Sequence, residues 1–442
     1  MAGFREIQPH AGRDDGVAVS ICSKAGMNLG PFSCGVGDRF GLQGRAQIEA
    51  FLMAKRRGVA VTPVWNKSHR EHSIIGTTPA DVRREAERAV KEAGWEGPFF
   101  VDADHVSAST LEPFLADSDF FTLDVAAALA VPASAEDARS FLRRNRMHLE
   151  PIESDLTDRP ISVPPDGGIA AAMRVLPAAR EAGALYRRVE SVKGANRFVV
   201  EVSMDETDRP VAPFELFVFL CALREEGVRP RTIAPRFSGK FLKGVDYVGD
   251  PQAFLHEFLG HAAAIRAAVS RFGMPHDLKL SIHSGSDKFS LYPLLGRALR
   301  RFGLGLHLKT SGTTWLEELA GLAVAGPAGL RMARRIYREA FEKREKYIRP
   351  YATLVEINAA ELPTPDEVDR WPADRFVAAL ENNPSCPLRN PHLRQLLHLG
   401  YQAAAGIGDE FLSLLRESMG ITGTRVTRNL YERHLKFLFL SD

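Results

Sequence analysis

Three histidines stand at the ends of short apolar runs, where a buried strand opens into a loop. They are His105 in PFFVDADHV, His283 in LKLSIHSGSD and His307 in LGLHLKTSG. In an α/β barrel, the carboxyl ends of all strands converge on one mouth, and catalytic groups collect there. Imidazoles that meet at one point beside carboxylates are a common way to hold a catalytic divalent metal. We therefore expect His105, His283 and His307 to be metal ligands.

Acidic residues accompany these histidines. Asp104 precedes His105 directly, and a carboxylate that moves protons beside a metal-bound histidine is chemically sensible. Glu201 interrupts the apolar run FVVEVSM and must be paired, protonated or metal-bound if it is buried. Glu206 lies just beyond that run. The residues predict Glu201 first and Glu206 second as a further proton-transfer group or, for Glu201, a fourth ligand.

Small and basic residues follow the second and third histidines. Ser284 comes directly after His283 and can bring its hydroxyl to a substrate, and Lys288 and Lys309 can hold an anionic group as point charges. The run 311–314, SGTT, can cap the next helix, whose amides could then bind an anion. These residues indicate an anionic or polyhydroxy substrate.

Strand-like runs alternate with amphipathic helical patterns through most of the chain. Such alternation, with strands that are nearly continuously apolar, favours a (β/α)₈ TIM-type barrel over an open sheet. We expect the barrel to occupy residues 1–330, with a loop or lid near 151–168, and a helical C-terminal extension to occupy 331–442. The predicted strands are 33–40, 59–65, 98–104, 120–126, 198–204, 231–237, 278–284 and 304–310.

Composition limits the class of protein. The 442 residues carry a net charge of +2, which gives no reason to expect a nucleic-acid partner. The N-terminal residues predict no secretory leader, no apolar run approaches the length that spans a membrane, and four scattered cysteines suit a reduced compartment. We expect a cytoplasmic protein without a membrane partner, and the sequence leaves homo-oligomerisation open.

Several longer motifs resemble the tagaturonate epimerase family of hexuronate catabolism. They are GVGDRFGLQG, VDADHV, EVSMDETD, TIAPRFSGKFLKGVDYVGD, HSGSDKFSLYP and HLKTSGTTWLEE, and they run through most of residues 33–320. The resemblance implies a metal-dependent barrel isomerase that interconverts D-tagaturonate and D-fructuronate. It also implies a metal on His105, His283 and His307, Asp104 as the proton acceptor, and a donor between Glu201 and Glu206.

The chemistry of this interconversion favours a retro-aldol route. The inverted carbon lies two bonds from the ketone, so enolisation does not acidify its hydrogen, whereas its hydroxyl is β to the carbonyl. Removal of that proton by Asp104 would break the neighbouring carbon–carbon bond, and the aldehyde would rotate and add again from its other face. The residues do not distinguish Zn, Mn, Co or Ni.

Alternative functions use the same site. The nearest is a metal-dependent aldolase, ketose 4-epimerase or isomerase that acts on another sugar or sugar acid, because loops decide the substrate. A sugar-acid binding protein without turnover and an oligomeric scaffold are two more distant alternatives.

Overall fold

Eight parallel strands form a closed barrel in which each strand pairs with the next and β8 returns to β1. The computed structural model describes residues 27–310 and 312–440, so the expectation for the N-terminal residues and Cys22 lies outside the described residues. The predicted barrel and all eight predicted strands are confirmed. The strands are β1 Phe32–Val36, β2 Thr62–Ser68, β3 Phe100–Val106, β4 Phe120–Asp124, β5 Val199–Met204, β6 Thr232–Pro235, β7 Lys279–His283 and β8 Leu306–Lys309.

Helices surround the barrel and continue beyond it. Local sequence sets their ends: Pro79 and Pro213 stand at first turns, and Gly94 and Gly227 end helices with φ of 63° and 76°, where a side chain would be strained. The helices are α1 Gly44–Arg56, α2 His69–Ile75, α3 Pro79–Ala93, α4 Ala135–Asn145, α5 Pro165–Lys193, α6 Pro213–Glu225, α7 Pro251–Phe272, α8 Tyr292–Phe302, α9 Gly312–Val324, α10 Pro327–Glu342, α11 Arg344–Ile348, α12 Pro365–Val368, α13 Ala373–Leu380, α14 Pro391–Leu399, α15 Tyr401–Ile407, α16 Asp409–Glu417, α17 Met419–Arg428 and α18 Lys436–Phe439.

Strand β2 extends past its predicted end at residue 65 and includes Asn66 and Lys67. Polar residues usually mark the end of a buried strand, but here both side chains are buried. Asn66 donates a hydrogen bond of 2.7 Å to Asp102, and Lys67 donates one of 2.8 Å to the carbonyl of Arg39. The upper part of the barrel is therefore polar inside, as a binding site requires.

The predicted insertion near 151–168 lies between α4 and α5. Residues 151–164 are a loop, whereas the last four residues of the predicted segment already belong to α5. Arg266 and Arg271 of α7 bind Asp155 and the carbonyl of Pro151 at 3.1 and 2.8 Å. The loop therefore packs along α7, and a function as a lid stays a prediction.

The C-terminal region packs in two places. Helices α9 to α16 share a second hydrophobic core, and their loops contact the strand-end face: Arg70 donates to the carbonyl of Pro350, and Lys243 N–H to that of Leu354. Residues 430–440 instead belong to the barrel's own core, where they lie against α1 and α8. Packing thus crosses residue 330, and the division of the chain at that position stays a prediction.

Candidate active site

A bulge at the end of β3 turns two adjacent side chains toward the barrel mouth. The pairing of β3 with β4 shifts register between Ala103 and Val106, and His105 has a φ of 54°. A left-handed conformation is costly for a histidine and is found mainly at functional sites. Because of this bulge, Asp104 and His105 both face the mouth, although neighbours on a regular strand point to opposite sides.

Two of the three predicted histidines meet at the mouth. The rings of His105 and His283 lie 4.9 Å apart between centroids. Between them lies the carboxylate of Asp205, 3.5 Å from Nε2 of His105 and 2.9 Å from Nδ1 of His283. Ligand atoms of these three residues all lie within 4.8 Å of one another. Two imidazoles and one carboxylate are a donor set that fits a divalent transition metal.

The other ring nitrogen of each histidine is held by a second carboxylate. Nδ1 of His105 lies 2.9 Å from Asp104, and Nε2 of His283 lies 2.7 Å from Glu201. Carboxylates in this position fix the tautomer and orientation of histidines that bind metals. Glu201, which is fully buried, therefore orients His283 rather than facing a substrate.

His307 does not join this group. Its Nδ1 lies 2.9 Å from the hydroxyl of Ser33, its ring packs 5.4 Å from that of Phe120, and it is fully buried. The pairing register sets His307 beside Ser281, whereas Lys309, two residues later, lies beside His283. Two residues of strand correspond to about 6.6 Å, so His307 faces the barrel interior one layer below the mouth. The expected set of three histidine ligands is not the set that the structure assembles, because Asp205 stands in place of His307.

The predicted substrate-binding residues serve other contacts. The hydroxyl of Ser284 donates to the carbonyl of Lys309 at 2.7 Å. Lys288 is fully buried and donates to the carbonyls of Leu242 and Val245 at 3.0 and 2.9 Å. Both side chains therefore stabilise the loops around the site, and the structure does not place either one where it can bind a substrate.

Lys309 is buried among acids. Its ammonium group lies 2.8 Å from Asp102, 2.8 Å from Asp104 and 3.1 Å from Glu201, and it donates to Thr122 at 2.6 Å. Its positive charge is thus already neutralised by the protein. It holds the carboxylates together instead of offering a free charge to an anionic ligand.

The ionisation states follow from burial and from these pairs. Burial opposes a charge on Lys309, but the three carboxylates outweigh it and raise the pKa well above the usual value. Burial likewise opposes charge on Asp104, yet Lys309 and His105 hold its pKa well below the ordinary range. For Asp102 burial prevails over Lys309 and raises the pKa to about 6. For His307 burial lowers the pKa to about 3, so its ring is neutral.

Glu206 differs from Glu201 in its exposure. Glu206 is exposed directly after Asp205, and it is close enough to Lys243 to raise the pKa of that lysine, which burial lowers. The structure therefore leaves Glu206, not Glu201, open to a bound molecule.

Sequence reasoning underrated two residues of the mouth. Asp205 directly follows β5, where a carboxylate is easily solvated, and nothing along the chain indicates that it lies between His105 and His283. Lys243 was not singled out at all. The motif SGKFLKGVDY carried a signal for it, since a lysine between two glycine-containing turns after β6 falls at the strand-end face.

A closed parallel barrel with histidines and carboxylates at its strand-end mouth defines an enzyme of the (β/α)₈ class. The tagaturonate epimerase family model matches residues 23–159 and 173–438, so the chain belongs to that family. It is accordingly an isomerase-class enzyme that acts on carbohydrate derivatives. Within the described residues, no helix combines the length and the apolar character that crossing a bilayer requires.

The similarity to known proteins extends over nearly the whole chain. The tagaturonate/fructuronate epimerase of Thermotoga maritima is 28% identical over an alignment of 422 positions, which covers 92% of this chain and 80% of the relative. A glycerol complex of the fructuronate-tagaturonate epimerase UxaE from Cohnella laeviribosi has a TM-score of 0.76 at 25% identity and covers 95% and 83% of the two chains. Its native crystal structure has a TM-score of 0.72 at 26% identity and covers 94% and 82%.

Proposed function

We propose that this enzyme interconverts D-tagaturonate and D-fructuronate with a divalent metal held by His105, Asp205 and His283. The observation that carries the proposal is the meeting of these three side chains at the barrel mouth, each histidine oriented by a further carboxylate. The names of the relatives support the choice of substrates. A metal bound there would polarise the ketone and a neighbouring hydroxyl of the substrate.

The proposed route is retro-aldol cleavage followed by re-addition. Asp104 takes the proton of the hydroxyl on the carbon to be inverted, and the bond between that carbon and the carbon next to the ketone breaks. Its electron pair forms an enediolate, and the inverted carbon becomes an aldehyde that keeps its hydrogen. The aldehyde rotates, the bond forms again from the other face, and the new alkoxide takes up a proton.

The two acids have suitable positions for these proton transfers. Asp104 retains 15% exposure of its side chain at the mouth. Lys309 and His105 hold the pKa of Asp104 below the ordinary range, so this carboxyl is ionised and can accept a proton. Glu206, exposed at the end of β5, is the donor that we propose for the opposite face. Glu201 has no such role, because it is fully buried and bound to His283 and Thr232.

Turnover in D₂O tests the route and the reaction together. Enzyme reconstituted with Zn, Mn, Co or Ni should convert D-tagaturonate into D-fructuronate, and proton NMR should show the original hydrogen on the inverted carbon. Deuterium at that carbon would contradict the retro-aldol route. Absence of product with every metal would contradict the proposed function, and faster turnover of neutral D-tagatose would favour a ketose epimerase instead.

The cysteines also bear on the cellular compartment in which the enzyme acts. The described cysteines, Cys34, Cys221 and Cys386, are free thiols, which suits a reducing compartment such as the cytoplasm. We propose a small keto-sugar acid as the partner at the mouth. Homo-oligomerisation stays open, and sedimentation of the purified enzyme would measure it.

A further inference from the structure

Lys243 carries a positive charge that the protein does not neutralise by direct contact. The buried lysines of the described chain each donate to fixed oxygens: carbonyls for three of them and carboxylates for Lys309. Lys243 is half-buried, and its ammonium group forms no hydrogen bond or ion pair with the residues that the structure describes. The Nζ atom of Lys243 lies 5.4 Å from the ring centroid of Tyr351. A cation in this state is available to an anionic ligand.

The loop around Lys243 is fixed from several sides. Lys288 donates two hydrogen bonds to backbone carbonyls of the segment 242–245, at 2.9 and 3.0 Å. Ser286 accepts a hydrogen bond of 2.9 Å from the backbone of the same segment, and Arg394 donates one to it. The buried Lys288 therefore holds the backbone on both sides of Lys243 in place, and its own ammonium group is not free to bind a substrate. Pre-organisation of this kind lowers the entropic cost of binding a ligand.

Lys243 lies against the loop that follows β7: its Cγ is 3.9 Å from where a Cβ on Gly285 would stand, two residues after His283. Burial lowers the pKa of Lys243; Glu71 opposes this shift most strongly, Arg39 adds to it, and Glu206 and Asp104 also raise the pKa. Lys243 thus lies in the same mouth as the two acids of the proposed proton transfers. In a hexuronic keto acid, the carboxylate carbon is two bonds from the carbon that is inverted. A group that binds this carboxylate must therefore lie beside the catalytic acids.

The buried ring of His398 is a second feature that favours an anion near Lys243. His398 is 1% exposed, and neither of its ring nitrogens has a hydrogen-bond partner. It packs against the start of α9, where a Cβ on Gly312 would lie 2.3 Å from its Nε2, and Lys243 is among the cations that act on it. Helix N-termini and neutral imidazole N–H groups both favour anions.

We infer that Lys243, beside His398 and the N-terminus of α9, recognises the carboxylate of the sugar acid and so decides the preference for acids over neutral ketoses. This inference rests on the proposed function, since it assigns the carboxylate end of that substrate. The C-terminal region then has a role at the site, because Tyr351 and His398 both belong to it.

The test compares acidic and neutral substrates in Lys243→Met. We expect KM for D-tagaturonate to rise about 10- to 100-fold, the usual range for a lost hydrogen bond to a charged group, while kcat/KM for D-tagatose stays within a few-fold. Lys243→Arg should recover most of the loss. Lys240→Met is the matched control, because Lys240 lies on the same loop but is exposed and paired with Glu356 at 2.6 Å.

Equilibrium binding separates this inference from the proposed function. In calorimetric titrations of metal-free protein with D-tagaturonate, Lys243→Met should weaken binding by the same factor and Lys240→Met should not. An unchanged dissociation constant in Lys243→Met, or an equal loss for D-tagatose, would overturn the inference. A wild-type enzyme that binds the acid but does not epimerise it would contradict the proposed function alone. A circular dichroism spectrum identical to that of the wild type checks that each variant is folded.

Discussion

The ammonium group of Lys309 on β8 lies 2.8 Å from the carboxylate of Asp104 on β3, although these two strands do not pair with each other. The same ammonium group contacts Asp102 and Glu201, so one lysine compensates three acids inside the barrel. Removal of one partner from a buried ion pair leaves uncompensated charge, which is strongly destabilising. The polar interior of the mouth thus depends on a residue that the sequence presents as a candidate for substrate binding.

Lys309→Met should therefore lower the free energy of unfolding by about 3–5 kcal/mol, because acids remain buried without their cation. Urea denaturation followed by circular dichroism measures this. The exposed Lys240→Met serves as the control, for which we expect a change below about 0.5 kcal/mol. A loss of less than about 1 kcal/mol in Lys309→Met would show that the three acids are not held as charges by this lysine.

Metal analysis distinguishes the proposed ligands His105, Asp205 and His283 from the three histidines expected from the sequence. After reconstitution and desalting, Asp205→Ala and His283→Ala should retain less than about a tenth of the wild-type metal, since each loses a proposed ligand. His307→Gln should keep the full amount, because its ring lies one layer lower, against Phe120. Loss of metal in His307→Gln with full retention in Asp205→Ala would instead support His105, His283 and His307 as the ligands.

Acid stability should depend on His307. Its folded pKa is about 3, below the usual value of about 6.5, so between these values only the unfolded chain binds a proton at this ring. Stability is unaffected by this group above pH 6.5 and falls as the pH drops toward 3. The difference between His307→Gln and wild type should therefore shift by about 3 kcal/mol in favour of the variant between pH 7 and pH 4. Denaturation series at both pH values give the result.

His276→Gln provides the comparison for that series, since His276 is exposed. We expect its unfolding free energy to follow the wild type at both pH values. A His307→Gln protein that loses as much stability in acid as the wild type would mean that this ring becomes protonated within the folded barrel.

The two glutamates of the β5 segment should respond differently to substitution. Glu206→Gln should lower kcat about 100-fold or more, as expected for a lost general acid, and leave the unfolding free energy unchanged. Glu201→Gln should lower stability by about 1–3 kcal/mol, because a buried acceptor of hydrogen bonds from His283 and Thr232 is altered. Steady-state kinetics and urea denaturation of both variants decide this. Equal kinetic effects with no loss of stability in Glu201→Gln would contradict the assignment.

Residues near the C-terminus should prove essential to the barrel. Leu435 is fully buried in the barrel's core, so Leu435→Ala should cost about 2–5 kcal/mol of unfolding free energy. Phe437 is 51% exposed two residues later, and Phe437→Ala should cost less than about 1 kcal/mol. Thermal and urea denaturation of this pair measure the difference. Similar losses in both variants would contradict the packing of residues 430–440 against α1 and α8.

Much of the fold could be predicted from local sequence. Apolar runs of strand length, separated by amphipathic helices with proline at the start and glycine at the end, specify a parallel barrel because each element must bury its apolar face. The polar extension of β2 through Asn66 and Lys67 could not be read in this way. Those residues are acceptable inside the barrel only because Asp102 and the carbonyl of Arg39, distant in sequence, accept their hydrogen bonds.

Local sequence is enough to show that histidines and acids end several strands, and hence that a polar mouth forms at one end of the barrel. Which of these side chains meet depends on the folded arrangement of the strands. A bulge turns His105 to the same side of β3 as Asp104. The register of β8 places His307 one layer below His105 and His283, and the turn after β5 places Asp205 between those two rings. These outcomes depend on strand register and on a left-handed residue, which are set by pairing with distant strands and leave no periodic signal along the chain.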